Sequence, residues 1–130
     1  MSITKDFSND LWEEAVTGTG TVTVADSGAS VSISSPAGSS ARTRYYTNAL
    51  PGEVLTFTVQ ARNMPDSLDG YASLWIDIPS GTLKNSQQVK SLDLQVLTVQ
   101  AVVPHHLIGP QKVGFGLGSY SALNGSAEFI

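Results

Sequence analysis

Residues 54–62 read Val-Leu-Thr-Phe-Thr-Val-Gln-Ala-Arg, and this stretch decides the fold class. Apolar and polar residues alternate through it. Successive side chains of an extended strand point to opposite faces, so Leu55, Phe57, Val59 and Ala61 share one face and Thr56, Thr58, Gln60 and Arg62 the other. Residues 71–78 repeat the pattern, with Ala72, Leu74, Ile76 and Ile78 facing a core and Tyr71, Ser73, Trp75 and Asp77 facing away. In residues 113–118 Val113, Phe115 and Leu117 point inward, while Gly114, Gly116 and Gly118 leave the other face without side chains.

Working outward, Val22 and Val24 alternate with threonines, and Val31 and Ile33 alternate with serines after a turn at Asp26-Ser27-Gly28. Two short alternating runs around a glycine-containing turn read as a β-hairpin. Further strands are expected over 41–48, 91–103 and 126–130, with joins over 34–40, 64–70, 79–88, 104–110 and 119–125. Pro51-Gly52 marks a turn. Residues 9–15 are the one helix-like stretch, equally readable as an extended edge segment. Short strands at this spacing indicate a sandwich or barrel, and residues 1–130 are expected to form a single domain.

Composition supports a folded all-β chain. It is 41% hydrophobic and only 14% charged, unlike a disordered chain. The absence of cysteine excludes disulfides, a thiol nucleophile and thiolate metal sites. A net charge of −4, with no basic face in view, argues against nucleic acid. No apolar run has the length of a membrane span, and the start, Met1-Ser-Ile-Thr-Lys-Asp, lacks the regions of a signal peptide. The expectation is a chain made in the cytoplasm, or cut from something longer.

Several phrases together resemble a known family. Asp6-Phe7 leads to Trp12; Gly20-Thr-Val-Thr-Val precedes Ala29-Ser-Val-Ser-Ile-Ser; Leu50-Pro51-Gly52-Glu53 precedes Leu55-Thr56-Phe57; then follow Gly70-Tyr-Ala-Ser-Leu-Trp-Ile and Val113-Gly-Phe-Gly-Leu-Gly. The chain thereby resembles the carbohydrate-binding-module-like jelly rolls of the galactose-binding-like superfamily. The resemblance implies an antiparallel β-sandwich of jelly-roll type and a glycan ligand. It also implies a setting such as a phage tail fibre or tailspike, hence a virion protein made in the host cytoplasm. Two departures stand out. The sequence stops at Glu128-Phe129-Ile130, so the last strand is expected to be short or completed by a neighbouring subunit. The family's structural calcium site would draw on Asp6 and Glu128, but its usual final acidic residue is missing. Calcium is therefore compatible with the resemblance and not predicted, and no other cofactor is expected.

Tyr71 and Trp75 point the same way on one strand, so they form a candidate sugar-stacking pair, with Gln60, Arg62 and Asp77 to bond hydroxyls if the strands share a sheet. The competing reading packs Trp75 under a loop or at a subunit interface. Arg42, Arg44 and Tyr46 share a face and would line the same groove, or else protect an edge strand against aggregation. His105 and His106 are adjacent, so they point apart and chelate poorly. Asn63, Asp66 and Asp69 faintly resemble a calcium loop that turn chemistry explains equally well. No GxSxG, HExxH or P-loop occurs, Glu13-Glu14 cannot flank a scissile bond, and pairing Asp77 with Glu53 or Asp93 needs support from the fold. The expected function is non-enzymatic glycan recognition. The alternative is a structural virion subunit, a homo-oligomer with threefold symmetry favoured, that uses the sandwich for assembly.

Overall fold

The computed structural model describes residues 6–36, 38–64, 70–119 and 125–130. Within them the strands are β1 (Trp12–Thr17), β2 (Thr21–Ala25), β3 (Ser30–Ser35), β4 (Ser40–Ala49) and β5 (Val54–Asn63). The second half adds β6 (Gly70–Ile78), β7 (Gly81–Gln88), β8 (Gln95–Val102), β9 (Gln111–Ser119) and β10 (Gly125–Phe129). They build two five-stranded antiparallel sheets, β1-β4-β9-β6-β7 and β2-β3-β10-β5-β8. Four pairs nest inside one another, β3 with β10, β4 with β9, β5 with β8 and β6 with β7, alternating between the sheets. That nesting is a jelly roll, with β1 and β2 added at adjacent edges.

The core follows the alternation that residues 54–62 announce. Leu55, Phe57, Val59 and Ala61 are buried from one sheet, and Ala72, Leu74, Ile76, Val113, Phe115 and Leu117 from the other. Phe57 and Phe115 meet edge to face across the layers at 5.3 Å between ring centroids. Each Val, Leu, Ile or Phe among them, fully buried, contributes about 1.5–3 kcal/mol of transfer free energy. Trp12 is also core, packed edge-on or tilted against Phe7, Tyr45 and Phe57.

Local chemistry sets the boundaries. Leu50-Pro51-Gly52-Glu53 is a turn closed by the Glu53 amide donating to the Leu50 carbonyl at 3.1 Å, with Gly52 at φ +84°. Proline followed by a left-handed glycine is the type II signature. The stretch 9–15 is the extended edge and not a helix. The Leu11 amide donates to the Asn9 side chain at 2.9 Å, forming a turn from which β1 emerges beside β4. Residues 91–94 do not extend β8, because the Asp93 amide donates to Ser91 Oγ and makes a bend.

Two expectations are corrected. The join expected over 79–88 contains β7, whose eight residues are all exposed. An edge strand with neither face buried has no hydrophobic period to betray it. The last strand is short, as expected, but it does not wait for a neighbouring subunit. β10 lies between β3 and β5 of its own chain, and Ile130 exchanges both backbone bonds with Gln60. Phe129 is fully buried. No helix among the described residues is long and apolar enough to cross a membrane.

Candidate functional site

Register places the outward side chains of the β1-β4-β9-β6-β7 sheet in rows that run across the strands. One row is Tyr46, Gly114, Trp75 and Lys84; the next is Glu13, Arg44, Gly116, Ser73 and Ser86; the third is Ala15, Arg42, Gly118, Tyr71 and Gln88. A fourth, beyond the Trp75 row, is Asn48, Lys112, Asp77 and Thr82. On β6 the middle row carries Ser73 where its neighbours carry the rings of Trp75 and Tyr71, and on β9 all three rows carry glycine. Large side chains on both sides of a low row make a groove. It encloses about 270 Å³ and is lined by Arg42, Arg44, Tyr46, Tyr71, Trp75 and Asp77, with Ser73, Thr82, Lys84 and Gly116 completing it. That volume is near the lower end of small-molecule sites, about 300–1,000 Å³.

The glycine floor is present, but it is not bare. A Cβ built on Gly114 would fall on the indole of Trp75, and one on Gly116 would stand 2.9 Å from Trp75 Cζ3. A Cβ on Gly118 would stand 2.7 Å from Tyr71 Cζ. The rings therefore lie on backbone that only glycine leaves low enough. Trp75 is held from below by the floor and from the side by Tyr46, edge-on at 5.7 Å. It remains half-buried, so part of the ring still faces the groove. Trp75 thus packs on its own sheet and leaves part of its ring open to the groove.

Positive charge gathers here. Arg42, Arg44, Lys84 and Lys112 are four of the seven Lys and Arg residues of the chain. Of the nine described carboxylates only Asp77 and Glu13 share this face. Lys112 Nζ sits 4.4 Å from the centre of the Tyr46 ring, Arg44 Cζ 5.6 Å from it, and Lys84 Nζ 6.0 Å from that of Tyr71. Such contacts contribute about 0.5–1 kcal/mol at exposed sites. Asp77 accepts from Thr82 Oγ1 at 3.2 Å.

Six of the residues named from sequence, Arg42, Arg44, Tyr46, Tyr71, Trp75 and Asp77, converge on the groove. Gln60 and Arg62 do not. β5 belongs to the other sheet, so they lie on the opposite side of the sandwich, where Arg62 Nε pairs with Glu128 Oε1 at 3.4 Å. One-dimensional alternation gives a strand's faces but not its sheet. Arg42, Arg44 and Tyr46 are not on an edge, since β4 is covered by β1 and β9. Thr82 and Lys84 were out of reach of sequence reasoning, because β7 read as a join. Only the polar length of that join hinted at them.

The remaining candidates disperse. Glu53 caps its own turn, its Oε2 accepting from the Leu50 amide at 3.1 Å, and Asp93 sits in the bend before β8. Neither lines the groove beside Asp77. Asp6 accepts from the Ser8 amide at 3.0 Å in the opening turn, whereas Glu128 is taken by Arg62. No group of three or more His, Cys, Asp or Glu residues among the described residues is arranged to hold a metal ion. Asp66 and Asp69 lie outside the described residues. Asn63 is buried and ties β5 to its surroundings, donating to the Val89 carbonyl at 2.8 Å and accepting from the Gly70 amide at 3.3 Å. His105 and His106 are exposed beyond β8.

No protein-family model matches the chain, and no curated protein matches it in sequence. Its fold does have solved counterparts. The tailspike protein 4 enzymatically active domain of bacteriophage CBA120 is similar at a TM-score of 0.67 and 18% identity, over 95% of this chain and 19% of that one. This chain thus spans about a fifth of that tailspike's length. The family 11 carbohydrate-binding module of a cellulosomal cellulase of Clostridium thermocellum gives a TM-score of 0.58 at 10% identity, covering 98% and 89%. A family 61 module solved with β-1,4-galactotriose gives 0.53 at 15%, covering 96% and 86%. At these identities the likeness establishes a carbohydrate-binding-module-like β-sandwich fold.

Proposed function

We propose that this chain is a non-catalytic glycan-binding module whose ligand lies in the groove of the β1-β4-β9-β6-β7 sheet. The observation that carries the reading is the half-buried Trp75 ring, laid flat on Gly114 and Gly116 and open towards the groove. A sugar presents an apolar C–H face and a polar rim. A fixed indole offers the matching flat apolar surface at little further entropy cost, because Gly114 and Tyr46 already hold it. Tyr71 supplies a second ring on the same strand, about 13 Å away at 3.3 Å per residue. Asp77, Ser73, Thr82 and Arg44 surround the rings with donors and acceptors for hydroxyl groups. Among the described residues that line the groove Asp77 is the one carboxylate, whereas glycoside hydrolysis uses a pair. The likeness to carbohydrate-binding modules supports the glycan ligand, and the likeness to a tailspike domain supports a place on a phage tail.

The test is a glycan array of bacterial surface polysaccharides probed with wild-type protein and Trp75→Ala. The reading expects selective binding by the wild type and its loss in the variant, with both proteins giving the same far-ultraviolet circular dichroism. Equal binding by the two would remove Trp75 from the site.

A second reading, assembly through the sandwich, draws on the outer face of the other sheet. There Val54, Val96 and Val102 are exposed, with Val54 and Val102 directly opposed on β5 and β8. Native mass measurement separates it: a trimer supports assembly, and a monomer at micromolar concentration counts against it.

A further inference from the structure

We infer that the glycan taken by this groove is anionic, with its acidic group seated on Arg44; the inference rests on the glycan reading above. Charge on this protein is segregated. The chain carries a net −4, yet one sheet face holds four cations against two carboxylates. None of the four cations forms an ion pair among the described residues. A face meant only for solubility would interleave the two signs.

Arg44 is the focus. It stands in the low middle row, level with Gly116 and Ser73, between the Trp75 row and the Tyr71 row. Its Nε is shielded from solvent and has no acceptor among the described residues, whereas Arg62 Nε, equally shielded, at least has Glu128 Oε1 at 3.4 Å. Glu13, its cross-strand neighbour on β1, shares the face but does not pair with it. A buried donor left unpaired is costly, so native structures rarely keep one without a use for it. A bound anion removes that cost. The guanidinium presents a fork of N–H groups that matches a carboxylate or a phosphate in two-point contact. Arg42 and Lys84 also line the groove and add attraction without dictating geometry. Asp77 is the opposing element; held by Thr82, it sits two rows from Arg44. The arrangement suits a chain in which sugar rings stack on Trp75 and an acidic substituent points towards β4.

The experiment uses immobilised polysaccharides in three sets: carboxylate-bearing, phosphate- or sulfate-bearing, and neutral. A single-stranded oligonucleotide serves as a further anionic polymer. Wild type, Arg44→Gln, Arg44→Lys and Arg62→Gln are compared, each checked for an unchanged circular dichroism spectrum. Binding confined to an acidic set is expected, and the set that binds identifies the anion. Arg44→Gln should weaken it by about tenfold or more, as loss of a charged hydrogen bond does. Arg44→Lys should fall between, and Arg62→Gln, on the opposite sheet, should match wild type. Affinity should also drop as ionic strength rises from about 0.1 M to about 1 M, which contracts the screening length from about 10 Å to about 3 Å. Binding to neutral glycans that is indifferent to Arg44→Gln and to salt would overturn the anionic inference while leaving the glycan reading in place. Binding to no polysaccharide, or to the oligonucleotide alone, would overturn both.

Discussion

Replacing Gly114 by alanine is expected to dislodge Trp75 while leaving the sandwich folded. The added methyl points away from the core and falls on the indole. Gly114 does not sit at positive φ, so alanine itself is unstrained there. One side must move, and the ring is the only part free to swing. A tryptophan buries about 150–250 Å² in all, so losing the supported face exposes about 100 Å². At about 25 cal/mol per Å² that is about 2.5 kcal/mol. Alanine returns about 0.5–1 kcal/mol by restricting the unfolded chain. The net loss is therefore about 1.5–2 kcal/mol, or roughly 6 °C in Tm for a domain of this size. Thermal unfolding followed by circular dichroism reads the stability. Acrylamide quenching reads the ring, since Trp12 is 6% exposed and contributes a shielded background. Quenching should rise in Gly114→Ala, and glycan binding should fall with it. A Tm equal to or above wild type with unchanged quenching would refute the glycine-floor reasoning.

Two further outcomes bear on the scaffold and on the division of labour between the sheets. Phe115→Ala removes a fully buried ring that meets Phe57 across the two layers, and should cost about 3–5 kcal/mol in denaturant unfolding. Arg62→Gln breaks the pair with Glu128, whose side chains are 42% and 22% exposed, and should cost no more than about 1 kcal/mol in the same measurement.

Much of this fold was legible because its strands are buried on one face and wet on the other. Residues 55–62, 71–78 and 113–118 alternate, and their inward sets are the core, with Ile78 partly buried at its margin. The Pro51-Gly52 turn was readable for the same local reason: its residue types dictate its dihedrals. β7 was not legible, since an exposed edge strand has no apolar period. The candidate site divides along the same line. Tyr71, Trp75 and Asp77 share a strand, so their common face followed from spacing alone. Joining them to Arg44 and Tyr46 depended on β9 lying between β6 and β4, a matter of long-range pairing. Gln60 and Arg62 were misgrouped because sheet membership is decided by the nesting of hairpins and leaves no mark on the strand itself. The three alternating glycines were visible as a floor. What rests on them emerged only from register.

Whether ligand lies on the Trp75 face is read by an NMR titration of isotope-labelled protein with the polysaccharide fragment selected by the array. Ligand in the groove should shift the Trp75 indole N–H and the backbone amides of Gly114, Gly116 and Arg44, which share adjoining rows of one sheet. Amides of Thr56, Thr58, Thr98 and Gln100, on the outer face of the other sheet, should stay in place. Shifts confined to that second set, with the Trp75 indole unmoved, would contradict binding on the Trp75 face.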